Sequence, residues 1–497
     1  MVQRICLFLV FGLFSHGLFA TDLFYRVSFE PVEHYIQVEL SASELQGDCT
    51  LLKMPVWAPG YYLIVDYPKN LVGFAATDLQ GRSLSWEKQG KSGWLVKHSD
   101  TKEFRVSYRI YANAQSVAES MVTVDKAFVV PNGVFMYVEG EKQQPVTVAF
   151  RPDASWKKVS TGLEPVAGEL FMFRASDIDN LYDCPVYIGN HRTIDFELDG
   201  RSYQLALETP EGLEKTTFVE DLKKVITTST AIFGDVPYQH YCFILMGAGG
   251  GGLEHLNSQA CFTSGSFIFK DRVTYINFLS FITHEFFHLY NVKSIRPVEF
   301  GPFDYEREVF TPSLWISEGF TVYYETVLLR RAKIIDSEVV LDYLSNYIRT
   351  VESAEGRKYM SLRQSSYDIW LNFFNRNANG KETRISYYDK GLILGLLMDI
   401  EIRRLTNNRK SLDDVMYMLY HSWFREKGCG FTEAEFWKVC ETIAGSPLEE
   451  IRKYVDTTCE IDYLKYLGYA GLVLGSDWQL QKKECTGIQK VIQDSIL

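Results

Sequence analysis

Apolar residues recur at every second position from Thr21 to about Pro165. Phe24-Tyr25-Arg26-Val27-Ser28-Phe29, Tyr35-Ile36-Gln37-Val38-Glu39-Leu40 and Phe104-Arg105-Val106-Ser107-Tyr108-Arg109-Ile110 all alternate. Period two puts one set of side chains on one face of a strand. Turn pairs such as Gln80-Gly81 and Asn132-Gly133 separate the runs, so the segment predicts a β-sandwich without a long helix. Residues 193–198 and 202–207 flank Asp199-Gly200 and predict a hairpin.

After Pro210 the period changes. Helices are predicted over 213–233, 276–292, 314–332, 337–352, 387–405, 411–423 and 433–444, with a buried strand at 241–246. Thr432 and Glu435 have the spacing of a capping box at the start of the last helix. The expected layout is a multidomain chain: an N-terminal β domain over 21–170, a mixed α+β centre over 171–385, and a helical C-terminal part over 386–497. A short tail is expected from Asp477. A length of 497 residues accommodates two to four domains.

Residues 1–20 read differently. Arg4 precedes an apolar run from Ile5 to Val10, then Phe11, Leu13, Phe14, Leu18 and Phe19, and Ala20 precedes the polar Thr21-Asp22. The run falls short of the roughly 20 residues a membrane span needs. It predicts a secretory signal cut after Ala20, and hence a periplasmic or secreted protein with no stable membrane anchor after cleavage. Leu18 is larger than cleavage sites prefer at that position, and an uncleaved anchor is the alternative.

Composition narrows the class. Hydrophobic content of 46% and charged content of 23% are ordinary for globular chains and argue against disorder. The net charge is −12, and removing residues 1–20 takes away one Arg to leave −13. Such a balance argues against a nucleic-acid partner. The 14% aromatic fraction fits extended β structure. Eight cysteines lie beyond Cys6, widely spaced and without a CxxC pair, so a cysteine zinc site is not expected. Pairing among the four C-terminal cysteines and free thiols both remain open.

The densest chemistry is Thr283-His284-Glu285-Phe286-Phe287-His288. Histidines four apart lie about 40° apart around a helix and face one point. That spacing suits zinc, and Glu285 beside them can act as general base on a water. A polar stripe on an ordinary helix is the competing reading. A catalytic zinc needs a third protein ligand, and Glu318 in Ser317-Glu318-Gly319 opens the next apolar helix at the right place. A surface Glu in a helix's first turn is the alternative there. Glu325, seven residues on, shares that helical face and can accept a hydrogen bond from a ligand histidine, or stand solvated.

Upstream, Gly247-Ala248-Gly249-Gly250-Gly251-Gly252 precedes Leu253-Glu254-His255. No Gly-Lys-Ser/Thr follows, so phosphate binding is a weak reading. Gly251 and Gly252 in an edge strand would let a substrate backbone approach, with Glu254 aimed at its free α-ammonium. A flexible loop with a solvated Glu competes with that reading. Tyr388, in Tyr387-Tyr388-Asp389-Lys390-Gly391, can donate to an oxyanion near the metal. Tyr387 is its neighbour and rival, and a plain packing role competes with both.

Together these residues resemble the glycyl aminopeptidase family of gluzincin metallopeptidases. The resemblance begins at Met54-Pro55-Val56-Trp57-Ala58-Pro59-Gly60-Tyr61-Tyr62 and Asp66-Tyr67. It continues through Gly251 to Ser258, His284 to Pro297, Gly301 to Glu306 and Trp315 to Tyr324. It then runs through Tyr388-Asp389-Lys390-Gly391 and Leu397-Met398-Asp399-Ile400 to about Gly471. It implies a thermolysin-like catalytic domain holding one zinc ion per chain on His284, His288 and Glu318. It also implies Glu285 as base, Glu254 as amine-binding carboxylate, Tyr388 as transition-state tyrosine and a preference for N-terminal Gly or Ala. Many members carry a PDZ domain after the catalytic region, and the 26 residues after Gly471 are too few for one.

The expectation is an exported zinc aminopeptidase acting on peptides with a free N-terminus. A thermolysin-type endopeptidase would share the metal site without needing Glu254. A non-catalytic exported binding protein that kept the site is the second alternative. Aromatic residues such as Trp57, Tyr61 and Tyr62 could serve either carbohydrate binding or packing of the β domain on the catalytic part.

Overall fold

The computed structural model describes residues 22–99, 101–208, 215–263, 271–372 and 378–497. The predicted signal segment, and the predicted start of a helix at 213, lie outside these residues. Alternation becomes sheet as expected: in Phe104–Tyr111 every second residue, from Phe104 to Ile110, is buried. A seven-stranded sheet runs in the order Glu164–Pro165, Met172–Ala175, Val146–Arg151, Asp22–Glu30, Tyr35–Ser43, Phe104–Tyr111, Leu71–Thr77. A five-stranded and a four-stranded sheet join it around one core that includes Tyr25, Val38, Trp94, Val129 and Ile188.

This β domain passes the expected limit at 170. Met172–Ala175 pairs with Val146–Arg151, and Val186–Gly189 pairs with both Lys126–Val129 and Lys158–Thr161. Val186–Gly189 is buried at every position, so it shows no alternation by which a sequence reading could assign it.

The centre is built on a second five-stranded sheet. The predicted hairpin forms as Arg192–Leu198 against Arg201–Leu207. His240–Met246 and Ser258–Phe262 follow in parallel, and Gly252–Glu254 closes the far edge antiparallel. Helix Arg272–Phe287, here the histidine helix, starts on an Asp271 side chain that accepts from Thr274 N at 2.8 Å. It ends at Phe287 rather than 292. The chain then turns, and a five-residue π-type turn, Trp315–Gly319, leads into the glutamate helix, Phe320–Arg331. The tyrosine helix, Tyr387–Leu405, has the predicted bounds and is capped by the Ser386 side chain.

The expected boundary at 385/386 has no counterpart in packing. One apolar core runs from Ile194 to Leu497, and the tyrosine helix passes through its middle with Leu392, Leu394, Leu396 and Ile400 buried. This helix is buried from Lys390 to Arg403, so the helical C-terminal region packs directly on the centre. The expected tail is also packed: Leu472–Leu474 pairs with Leu480–Lys482, and helix Gly487–Ile496 buries Ile492 and Ile496. All eight described cysteines are free thiols. No helix among the described residues is long and apolar enough to cross a membrane.

The two cores are clamped together by charge as well as apolar contact. Asp183, at the end of the short helix Ile178–Tyr182, meets Lys293 Nζ at 2.6 Å and His255 Nδ1 at 3.1 Å, and accepts from Leu256 N at 2.8 Å. Burial pushes this carboxyl up, but Lys293 and His255 outweigh it and hold it down at about 2. A carboxylate with a depressed folded pKa stabilises above its unfolded value, near 4, and loses that contribution as pH falls toward 2. Asp183→Asn is therefore expected to cost about 3 kcal/mol at pH 7, as loss of one partner of a largely buried ion pair does. Urea denaturation reads the difference, which shrinks between pH 4 and 2.

Candidate active site

His284 and His288 sit one turn apart at the end of the histidine helix, with their Nε2 atoms 3.0 Å apart. Glu318 Oε2 lies 3.6 Å from His284 Nε2 and 3.2 Å from His288 Nε2. Tetrahedral ligands at zinc bond lengths of 2.0–2.1 Å stand about 3.3 Å apart. The three observed separations bracket that value, so the donor set fits zinc without rearrangement.

Both rings are held in the orientation a metal requires. His284 Nδ1 donates to Glu325 Oε2 at 2.8 Å, and His288 Nδ1 to the Asn291 carbonyl at 2.6 Å, which turns each Nε2 toward the centre, where a metal would displace its proton. Burial lowers the His284 pKa, but Glu318 and Glu325 outweigh it and raise it well above the usual value. Burial raises that of Glu318, and the two histidines hold it well below the carboxylate range. The centre is thus electrostatically suited to a cation. Glu325 is itself held by Ser280 Oγ at 3.2 Å. Glu325→Ala is expected to weaken zinc binding about 10–100-fold, measured by competition with a chelator.

Close backbone packing brings the third donor into place. A Cβ on Gly319 would lie 2.4 Å from Gly391 Cα, and one on Gly391 would lie 2.7 Å from the Trp315 carbonyl oxygen. Glycine at both positions lets the tyrosine helix cross the Glu318 turn in direct backbone contact. That crossing sets the Tyr388 ring over the His284 ring, with centroids 6.3 Å apart and planes 25° apart. Tyr387 packs against Tyr388 with centroids at 4.6 Å. Burial and then the Glu318 charge raise both phenols well above their ordinary value, which keeps them hydrogen-bond donors.

Glu254, Glu285 and His288 present ligand atoms within 4.8 Å of one another. Burial pushes the Glu285 carboxyl up to about 7; His284 and His288 oppose this, while Glu254 and Glu318 add to it. Gly252 lies against Glu285: a Cβ there would stand 2.3 Å from Glu285 Oε1 and 2.8 Å from Phe281. Gly251 serves the turn instead, with φ of +92° in the left-handed region. The edge strand thus carries Glu254 to the centre, and the π-type turn before the glutamate helix carries Glu318 there.

Sequence reasoning missed several contributors. Asn291 uses its side-chain amide to hold the Ile316 and Ser317 carbonyls at 2.9 and 3.0 Å, tying the loop after His288 to the Glu318 turn. Nothing in its local pattern marks it. Gly60 and Tyr62, from the β domain, also reach the centre. A Cβ on Gly60 would lie 2.7 Å from Glu254 Oε1.

A histidine pair on one helix, a glutamate from the next and a paired set of carboxylates define a metallopeptidase-type centre on a three-part frame. The family model for the Peptidase M61 N-terminal domain matches residues 24–190, and that for M61 glycyl aminopeptidase matches residues 277–394. Together they span more than half the chain, which belongs to the M61 glycyl aminopeptidase family and is a peptidase. An aminopeptidase N family protein from Idiomarina loihiensis superposes with a TM-score of 0.86 at 28% identity, covering 91% of this chain and 79% of that one. An M1 zinc metallopeptidase from Deinococcus radiodurans gives 0.54 at 13% identity over 90% of this chain and 96% of that one. Legionella pneumophila aminopeptidase A, in complex with aspartic acid, gives 0.52 at 14% identity over 88% of this chain and 49% of that one. These last two share the fold. No curated protein matched the chain.

Proposed function

We propose that this chain is an exported zinc aminopeptidase that removes N-terminal Gly or Ala from peptides. The observation that carries the reading is the Glu254 carboxylate, brought to the same centre as Glu285 and His288 by an edge strand. His284, His288 and Glu318 would hold one zinc ion, which when bound supplies Lewis acidity to the scissile carbonyl and to the attacking water. Glu285 takes the water proton and delivers it to the leaving amine. Tyr388, over His284, donates to the developing oxyanion. Glu254 accepts the α-ammonium, and that cation offsets the repulsion between the Glu254 and Glu285 charges. Gly252–Glu254 is the terminal strand of its sheet among the described residues, the position from which a strand pairs with a substrate backbone.

The glycyl family description supports the small first residue, and the apolar segment after Arg4 supports export. A variant of the Deinococcus enzyme was solved with a Tyr-Ser-Ala substrate, which supports short peptides as the substrate class. The test is a panel of aminoacyl reporters, Gly through Leu and Arg, with and without chelator, beside N-acetylated counterparts. Cleavage confined to free amines, lost with chelator and strongest for Gly or Ala, is the expected result. Equal cleavage of acetylated peptides would favour the endopeptidase.

A further inference from the structure

Residues 57–62 belong by sequence to the β domain but are delivered to the catalytic centre. Val56 N donates to the Tyr305 carbonyl and Trp57 Nε1 to that of Asp304, each at 2.8 Å. Both acceptors lie in the long connection between His288 and Glu318. Gly60, with φ of +87°, then passes so close to Glu254 that a Cβ would meet both carboxylate oxygens, at 2.7 and 3.0 Å. Tyr62 follows, only 2% exposed, and it packs with the catalytic core rather than with its own domain. Its ring stacks on Phe300 with centroids 6.2 Å apart and meets Trp370 edge-on at 5.9 Å. The ring is therefore locked from two sides.

Trp57, Gly60, Tyr62 and Phe300, with the charged Glu254, Lys293 and Arg296, line a cavity of about 20 Å³. Such a space takes one water or one methyl group. If Glu254 holds the α-ammonium, the side chain of the first residue branches from the adjacent carbon, and this cavity is where it goes. We infer that Tyr62 is a specificity-determining residue, the wall that limits the substrate's first side chain to hydrogen or methyl. The inference rests on the aminopeptidase reading above. A Leu side chain would have to displace a ring that Phe300 and Trp370 hold in place.

The test compares kcat/KM for Gly, Ala and Leu reporters in the wild type, Tyr62→Ala and Tyr62→Phe, with zinc content and thermal unfolding recorded for each. Tyr62→Ala is expected to raise the Leu-to-Ala ratio at least about 10-fold, the scale on which pocket methylenes discriminate, while Tyr62→Phe keeps the wild-type ratio. Phe300→Ala, which opens the same cavity from its other side, should move the ratio the same way and decides the matter if Tyr62→Ala does not fold. Equal loss on all three substrates, or a wild type that accepts Leu as well as Ala, would overturn the inference and leave the aminopeptidase reading standing. Failure of that reading looks different: the wild type would then cleave free and N-acetylated substrates alike.

Discussion

Glu285→Gln is expected to lower kcat by at least about 10²-fold while leaving the metal bound, as loss of a general base does. The substitution is nearly isosteric, which matters because Gly252 and Phe281 pack against this side chain. Glu285 is not one of the donors at the His284, His288 and Glu318 centre, so zinc content by mass spectrometry should match the wild type. Only the proton acceptor is lost. Its carboxyl is pushed up to about 7, first by burial, so the basic form is the one present above that value. Activity that depends on it declines as pH falls through its pKa. Turnover within 10-fold of the wild type would remove Glu285 from the mechanism.

Glu254→Gln is expected to reduce kcat/KM for free-amine substrates by about 10²-fold, in line with the 2–5 kcal/mol that loss of one partner of a buried charge pair costs. N-acetylated peptides carry no ammonium, so their cleavage should not fall with it. The free-amine preference therefore collapses, where a general structural lesion would lower both substrates alike. A second readout follows from electrostatics. The Glu254 charge helps to raise Glu285. Removing it lowers the Glu285 pKa, so the acid limb of the residual activity moves to lower pH. An unchanged acid limb together with an unchanged substrate preference would exclude Glu254 from the site.

Local geometry explains what could be read in advance. The tyrosine helix begins and ends where its apolar period does, at Tyr387 and Leu405. Thr432 and Glu435 form the capping box their spacing implies, with Glu435 Oε2 accepting from Thr432 N at 2.8 Å. His284 and His288 meet because four residues make about one helical turn. Where a strand is buried on both faces, as in Val186–Gly189, the alternating signal vanishes and the domain limit shifted with it. Helix Gly487–Ile496 gave no such warning either, since a short amphipathic helix at a chain end resembles a polar tail. The histidine helix stops at Phe287 because Asn291 must turn back, its carbonyl holding His288 and its amide reaching the Glu318 turn.

By itself the sequence determined the β-then-helical order and the histidine spacing, and it offered the carboxylates and tyrosines that the fold then gathers. Those follow from backbone periods and side-chain chemistry, which act over a few residues. Tertiary structure alone decided which distant groups meet. The stretch between His288 and Glu318 docks the two parts through Tyr305, which is buried in the β-domain core and donates to Asp179 at 2.5 Å. Through that docking Gly60 and Tyr62 arrive beside Glu254, nearly two hundred positions away. Contacts of that range depend on how whole apolar faces fit together, and no local period records that fit.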